Sequence, residues 1–189
     1  MAGFGFIPYR RYDGLPYNGN TETKLLTAAS TKLHHGDAVG IDASGTLIRS
    51  AANTDIFGIA VGFTWTDSSG NYHATNYISA ADNVANTVTC TYIPIDGMIF
   101  RVRGNSAATF LLAADVGSNA DHVDTDGSAV TGISGQVLAA VTGSATAQWR
   151  IVGVATEPIG NAVGSADSVF LVIANETWRN AGGVINVGI

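Results

Sequence analysis

H-G-D-A-V-G-I-D-A-S-G-T-L-I-R-S-A, residues 35–51, is the stretch from which the fold is read. Gly36-Asp37 marks a turn and Ala38 to Ile41 a short strand. Ala43-Ser44-Gly45 is a tight turn, and Thr46 to Ile48 is the returning strand. Directly after it, Ile56 to Trp65 reads as an apolar strand spaced by Gly58 and Gly62. Glycines inside a strand point to strong bending, as at the corner of a small barrel.

Further strands follow in both directions. Thr23 to Ala29 is a candidate first strand, and Asn71 to Ser79 another after the Asp67-Ser68-Ser69-Gly70 turn. Thr87 to Tyr92 alternates, with Val88, Cys90 and Tyr92 on one face and Thr87, Thr89 and Thr91 on the other. Cys90, the single cysteine, is therefore a small core residue, and no disulfide framework exists. Beyond the Asp96-Gly97 hairpin signal, Met98, Phe100 and Val102 point one way, and Ile99, Arg101 and Arg103 the other. Thr109 to Ala114 is a helical turn or a strand. Asp124-Thr125-Asp126-Gly127 is a turn, and Thr131 to Val141 pairs with Trp149 to Val154. Val169 to Ile173, apolar throughout, is a buried central strand. The expected fold is all-β: a small β-barrel or β-sandwich body with a second β lobe. No exact internal repeat is visible.

The least ordinary segment precedes this body. Residues 3–21 read G-F-G-F-I-P-Y-R-R-Y-D-G-L-P-Y-N-G-N-T, with Phe4, Phe6, Tyr9, Tyr12 and Tyr17 among glycines, two prolines and the pair Arg10 and Arg11. Pro8 and Pro16 exclude a helix through Ile7 and Leu15. We expect an extended arm over residues 1–22, a β body over 23–175 and a tail over 176–189. A buried aromatic contributes roughly 1.5–3 kcal/mol against roughly 1–2 for ordering a residue, so an apolar surface must receive the arm. That surface belongs either to the chain's own body or to a neighbouring polypeptide.

The pattern F-G-x-x-P-x-R followed by G-x-P-Y-N-G-x-T is carried by Phe4, Gly5, Pro8, Arg10, Gly14, Pro16, Tyr17, Asn18, Gly19 and Thr21. It resembles the start of tailed-phage capsid decoration, or cement, proteins. The order "G-D-x-V, turn with glycine, short strand, G-I-A-V-G" looks like their small β-barrel. The resemblance implies a virion protein on the outer capsid surface, made in a host bacterial cytoplasm. It also implies the major capsid protein as partner, self-association as a homotrimer, and stabilisation of the expanded head. The expected contact set is Phe4, Phe6, Tyr9, Arg10, Arg11, Tyr12 and Tyr17. Trp178 joins it from the tail, where Val184 to Val187 could add a strand to a sheet edge.

Composition agrees with a protein that works in an assembly. Only 13% of the 189 residues are charged and mean hydropathy is +0.22, so uncharged polar and small residues must cover the surface. The formal net charge is −6, with Lys24 and Lys32 the two lysines, which argues against nucleic acid as a partner. No apolar run approaches the length needed to cross a bilayer, and no charged-then-apolar leader opens the chain, so no membrane partner is expected.

Signals for chemistry are weak. His34 and His35 are adjacent on an extended segment and point to opposite faces, so they do not chelate together. Asp121, His122, Asp124 and Asp126 with Gly127 make a fragment of a calcium loop, but Gly135 stands where the closing glutamate belongs. A polar turn is the better reading. No G-x-S-x-G, H-E-x-x-H or G-K-[ST] occurs, and no enzyme activity, metal or cofactor is expected. The rival reading is a virion fibre or adhesin module binding host surface glycans, with Trp65, Tyr72 and Tyr77 as loop aromatics.

Overall fold

The computed structural model describes residues 4–27, 32–52, 54–83, 87–104, 111–156, 161, 163–164 and 168–175. The chain is all-β and sandwich-like, with every strand pairing antiparallel. A first sheet contains β2 (Glu22–Leu25), β4 (Ala38–Ile41), β5 (Leu47–Arg49), β6 (Gly58–Thr66) and β9 (Thr89–Pro94) in the order β2-β9-β6-β4-β5. Hairpin strand β7 (Tyr72–Thr75) is attached to β6. A second sheet contains β1 (Ile7–Arg11), β10 (Met98–Arg103), β11 (Asn119–Val123), β12 (Val137–Thr142), β13 (Trp149–Val154) and β14 (Val169–Ala174) in the order β1-β10-β14-β13-β11-β12. A two-stranded ribbon joins β3 (Leu33–His34) to β8 (Tyr77–Ile78). A 3₁₀ turn spans Ala113–Asp115.

With β1 and β7 set aside, the two sheets repeat one topology. β2, β9, β6, β4 and β5 correspond in order to β10, β14, β13, β11 and β12. The match extends to irregularities. The β6–β9 ladder slips between Ala60 and Gly62, and the β13–β14 ladder slips between Ile151 and Gly153, so Val61 and Val152 are equivalent bulges. Each sheet also curls until its far ends meet in one parallel bridge, Leu26 to Leu47 in the first and Gly104 to Leu138 in the second. Neither sheet closes into a barrel, so of the two expected body types the sandwich describes the molecule.

Burial explains the composition of the strands. One core, with Leu26, Val39, Leu47, Ala60, Phe63, Cys90 and Tyr92, fills the curl of the first sheet. The other, with Ala38, Ile59, Ile93, Phe100, Leu138, Trp149, Phe170 and Val172, lies between the two sheets. Neighbours such as Ala38 and Val39, or Ile59 and Ala60, therefore serve different cores. That is why β6 reads as an apolar run and not as an alternation. Gly58 is needed because a Cβ there would overlap the Tyr92 ring.

Several expectations hold. Val88, Cys90 and Tyr92 share a buried face, and β14 is central between β10 and β13. Others are corrected. The segment expected to pair 131–141 with 149–154 is split, because β11 lies between β12 and β13. Residues 71–79 break at Asn76, where the chain passes from the first sheet to the two-stranded ribbon. In place of the four-residue turn expected over 124–127, the Thr125 N–H donates to Val123 O at 2.9 Å, a tighter turn centred on Asp124, and Thr125 O and Asp126 meet Arg49. The C-terminal tail and Trp178 lie outside the described residues, as do 28–29 of the expected first strand and 109–110 of the segment expected as a helical turn or a strand.

Candidate functional site

The N-terminal segment is more regular than an irregular extended arm: its middle is β1, an edge strand on β10. Pro8 is tolerated there because an edge strand has one side without ladder partners. Pro8 faces Phe100 and Arg10 faces Ile99, which leaves Tyr9 as the extra residue of a bulge.

What fastens the segment is Phe6. Its ring is 1% exposed and stacks on Trp149 with centroids 4.2 Å apart and planes 17° apart. His122 meets it edge-on at 5.9 Å. The Phe6 N–H donates to the Gly36 carbonyl at 2.9 Å. Gly5, at φ +63°, lies so close to the body that a Cβ would overlap the Gly36 oxygen and the Ser134 side chain. The anchoring of Phe6 is thus intramolecular, and the ring is withdrawn from any outside surface.

Beyond Phe6 the ribbon turns outward. Tyr9 is 36% exposed, with the guanidinium carbons of Arg10 and Arg101 5.5 and 5.6 Å from its ring centroid. The chain then doubles back. The Arg11 N–H donates to Leu15 O at 2.8 Å, the Gly14 N–H to Arg11 O at 3.0 Å, and the Tyr12 N–H to Gly97 O at 2.6 Å. These bonds hold Tyr12 and Leu15 in place while leaving them 68% and 58% exposed. Arg11 pairs with Asp13 at 3.1 Å in the open, a contact worth roughly 0–1 kcal/mol. Tyr17 packs against the inter-sheet core and donates its hydroxyl to Asn20 O at 3.0 Å. Phe4 is half-buried. Of the expected contact residues, Tyr9, Arg10, Arg11 and Tyr12 form one exposed strip. Leu15, which sequence reasoning did not single out, belongs to it. Its position one residue before Pro16, in a polar turn, was the available signal.

The polar constellations resolve into structural roles. Arg49, its side chain 6% exposed, lies 2.6 Å from Asp124 through Nε and donates from Nη1 to Asp126 at 2.6 Å. Its Nη2 donates to Thr125 O at 2.8 Å. Lys32 adds a bond to Asp126 at 2.9 Å. Arg49 and then Lys32 hold the Asp126 carboxyl down at about 2. Asp124 and Asp126 of the calcium-like fragment therefore clamp the first sheet to the segment after β11. His34 stacks on Tyr77 with its Nδ1 3.4 Å from Asp37, while His35 Nδ1 lies 3.0 Å from Val61 O, so the two rings do not converge. Among the described residues no group of three or more His, Cys, Asp or Glu side chains is arranged to hold a metal ion. Burial pushes the Cys90 thiol well above its ordinary range, which makes it a poor nucleophile. No helix among the described residues is long and apolar enough to cross a membrane.

On the far hairpin, Trp65 and His73 stack at 4.9 Å with planes 14° apart, and His73 Nε2 lies 2.9 Å from Asp67. Tyr72 beside them is 71% exposed, whereas Tyr77 is half-buried. No family model matches the chain, and neither a curated protein nor a solved structure matches it.

Proposed function

We propose that the chain is a structural virion protein, a decoration or cement protein that lies on the outer surface of a capsid shell and reinforces its expanded state. The observation that carries this reading is the exposed strip of Tyr9, Arg10, Arg11, Tyr12 and Leu15. It is held in one conformation by β10 and by the Phe6 plug. Aromatic side chains with adjacent arginines are the usual anchors of protein interfaces, and a strip already ordered before contact loses less entropy on binding. The arginines supply donors for carboxylates and carbonyls of the neighbouring coat protein. A protein that binds only the expanded shell stabilises it by its binding free energy, repeated at every site. The sparse surface charge and the resemblance of the first 21 residues support the same reading.

Two measurements test it. Mass spectrometry of purified particles is expected to give a copy number in fixed ratio to the shell subunit. A handful of copies would place the chain in a tail or fibre. Added back to emptied, expanded shells, the protein is expected to coat them. Undiminished coating by a chain lacking residues 2–20 would remove the strip from the mechanism.

The hairpin bearing Trp65, Tyr72 and His73 favours a second reading, an adhesin module for host glycans, since an exposed tyrosine beside a half-buried stacked pair suits sugar faces. Glycan-array binding without affinity for shells would select it.

A further inference from the structure

His122 is 1% exposed, and both of its ring nitrogens are engaged. Trp149 Nε1–H, which can only donate, points at Nδ1 at 3.3 Å. Nε2 lies 2.9 Å from the Ser50 carbonyl oxygen, which can only accept. These two partners fix the ring as the neutral tautomer with its proton on Nε2. A second proton has one place to go, Nδ1, and there it would set N–H against N–H. Trp149 would have to give up its bond.

The same two rings are the walls of the Phe6 pocket, Trp149 by stacking and His122 by its edge. We propose that His122 is an acid-operated latch on the N-terminal ribbon: proton uptake at Nδ1 releases Phe6 and residues 4–17, edge strand β1 included, while the first sheet and strands β10 to β14 stay folded.

Burial and the charged groups around the ring act in opposite directions. The carboxylates of Asp124, Asp121 and Asp37 favour the imidazolium. Arg49, 2.6 Å from Asp124 and 3.8 Å from Asp37, offsets two of them. The other groups packed there are uncharged: Gln136 donates to Ser50 O at 3.4 Å, and Gln148 donates to Ala51 O at 2.8 Å and to Thr54 O. Burial dominates and holds the latched ring below the ordinary histidine value. Once Phe6 leaves, water reaches the ring and its value moves back toward the ordinary histidine value of roughly 6.5. The latched form is therefore fully favoured above about 6.5 and loses ground as the pH falls below it, by up to about tenfold per pH unit for one proton. This is a property of the isolated chain and stands apart from the shell reading.

Hydrogen exchange of the full chain, stepped from pH 7.5 to 5 and corrected for intrinsic rates, tests it. Peptides covering 4–17 are expected to lose about tenfold or more of their protection, while those covering 169–174 keep theirs. In His122→Gln the amide can accept from the indole and donate to Ser50 O without titrating, so the ribbon is expected to stay protected at both pH values. In Trp149→Phe the donor conflict is gone, and the acid response is expected to weaken. Protection of 4–17 unchanged down to pH 5 would overturn the latch. So would an unaltered response in His122→Gln, or simultaneous loss of protection over 169–174.

Discussion

Gly36 and Gly117 occupy the same place in the two halves of the molecule. Each has a left-handed backbone, φ +91° and +97°, and each donates its N–H at 2.8 Å, to Ala60 O and Ile151 O respectively. The reciprocal bonds, Ala60 N–H to Asp37 O and Ile151 N–H to Ser118 O, complete the match at 2.9 and 3.0 Å. The surroundings differ. A Cβ at Gly36 would stand 2.8 Å from Phe4 O, whereas Gly117 has open space around it.

Gly117→Ala is accordingly expected to cost only the conformational strain of a left-handed residue, about 1–2 kcal/mol. Gly36→Ala carries the same strain and also displaces the ribbon, so its cost is expected to be clearly larger. Urea denaturation of both variants measures the difference. Equal costs would mean that the ribbon yields freely at this point.

Phe6→Ala removes the plug between Trp149 and His122 and is expected to destabilise the chain by about 3–5 kcal/mol. Tyr12→Ala removes a ring that is 68% exposed and is expected to stay within about 0.5 kcal/mol of the parent. The contrast is read by calorimetry or denaturant midpoint. A similar, small loss for both would show that Phe6 is not what fastens the ribbon.

The strip itself is tested by Tyr12→Ser with Leu15→Ser. Stability is expected to be unchanged, because both side chains face solvent. Affinity for expanded shells is expected to fall by about tenfold or more, the effect of losing exposed anchors at a protein interface. Binding at parental strength would move the contact elsewhere on the body.

Asp126 gives a pH dependence with a definite sign. Its folded value, about 2, lies below the unfolded value near 3.9. The stabilisation is present above about pH 4 and is lost as the pH falls from there through 2. Stability measured from pH 5 to 2 is expected to fall less steeply in Asp126→Asn than in the parent. Parallel curves would mean that the Arg49 and Lys32 contacts to this exposed carboxylate contribute nothing.

Arg49 itself matters more than its outermost partner. Arg49→Ala leaves the fully buried Asp37 without its nearby cation, and the loss is expected to be about 3–5 kcal/mol at neutral pH. Arg49→Ala together with Asp37→Asn is expected to recover part of that loss. Failure to recover any would place the effect in packing of the arginine stem.

The sequence alone determined the all-β class, the hairpin after His35, the buried face of Val88, Cys90 and Tyr92, and the central place of the 169–173 run. These follow from local alternation, apolar runs and glycine turns, which are read within a few residues. It did not reveal that the chain repeats one topology. Val39 and Ala120, or Ala60 and Ile151, fill equivalent places with different side chains, and a hydrogen-bond register constrains the backbone, not the identity of what it carries. Nor did it separate the aromatics of the ribbon: Phe6 and Tyr12 are both aromatic residues beside turns and prolines. Only the tertiary structure decided that one is sealed between Trp149 and His122 and the other faces water, because the pocket is built from residues more than a hundred positions away in the chain.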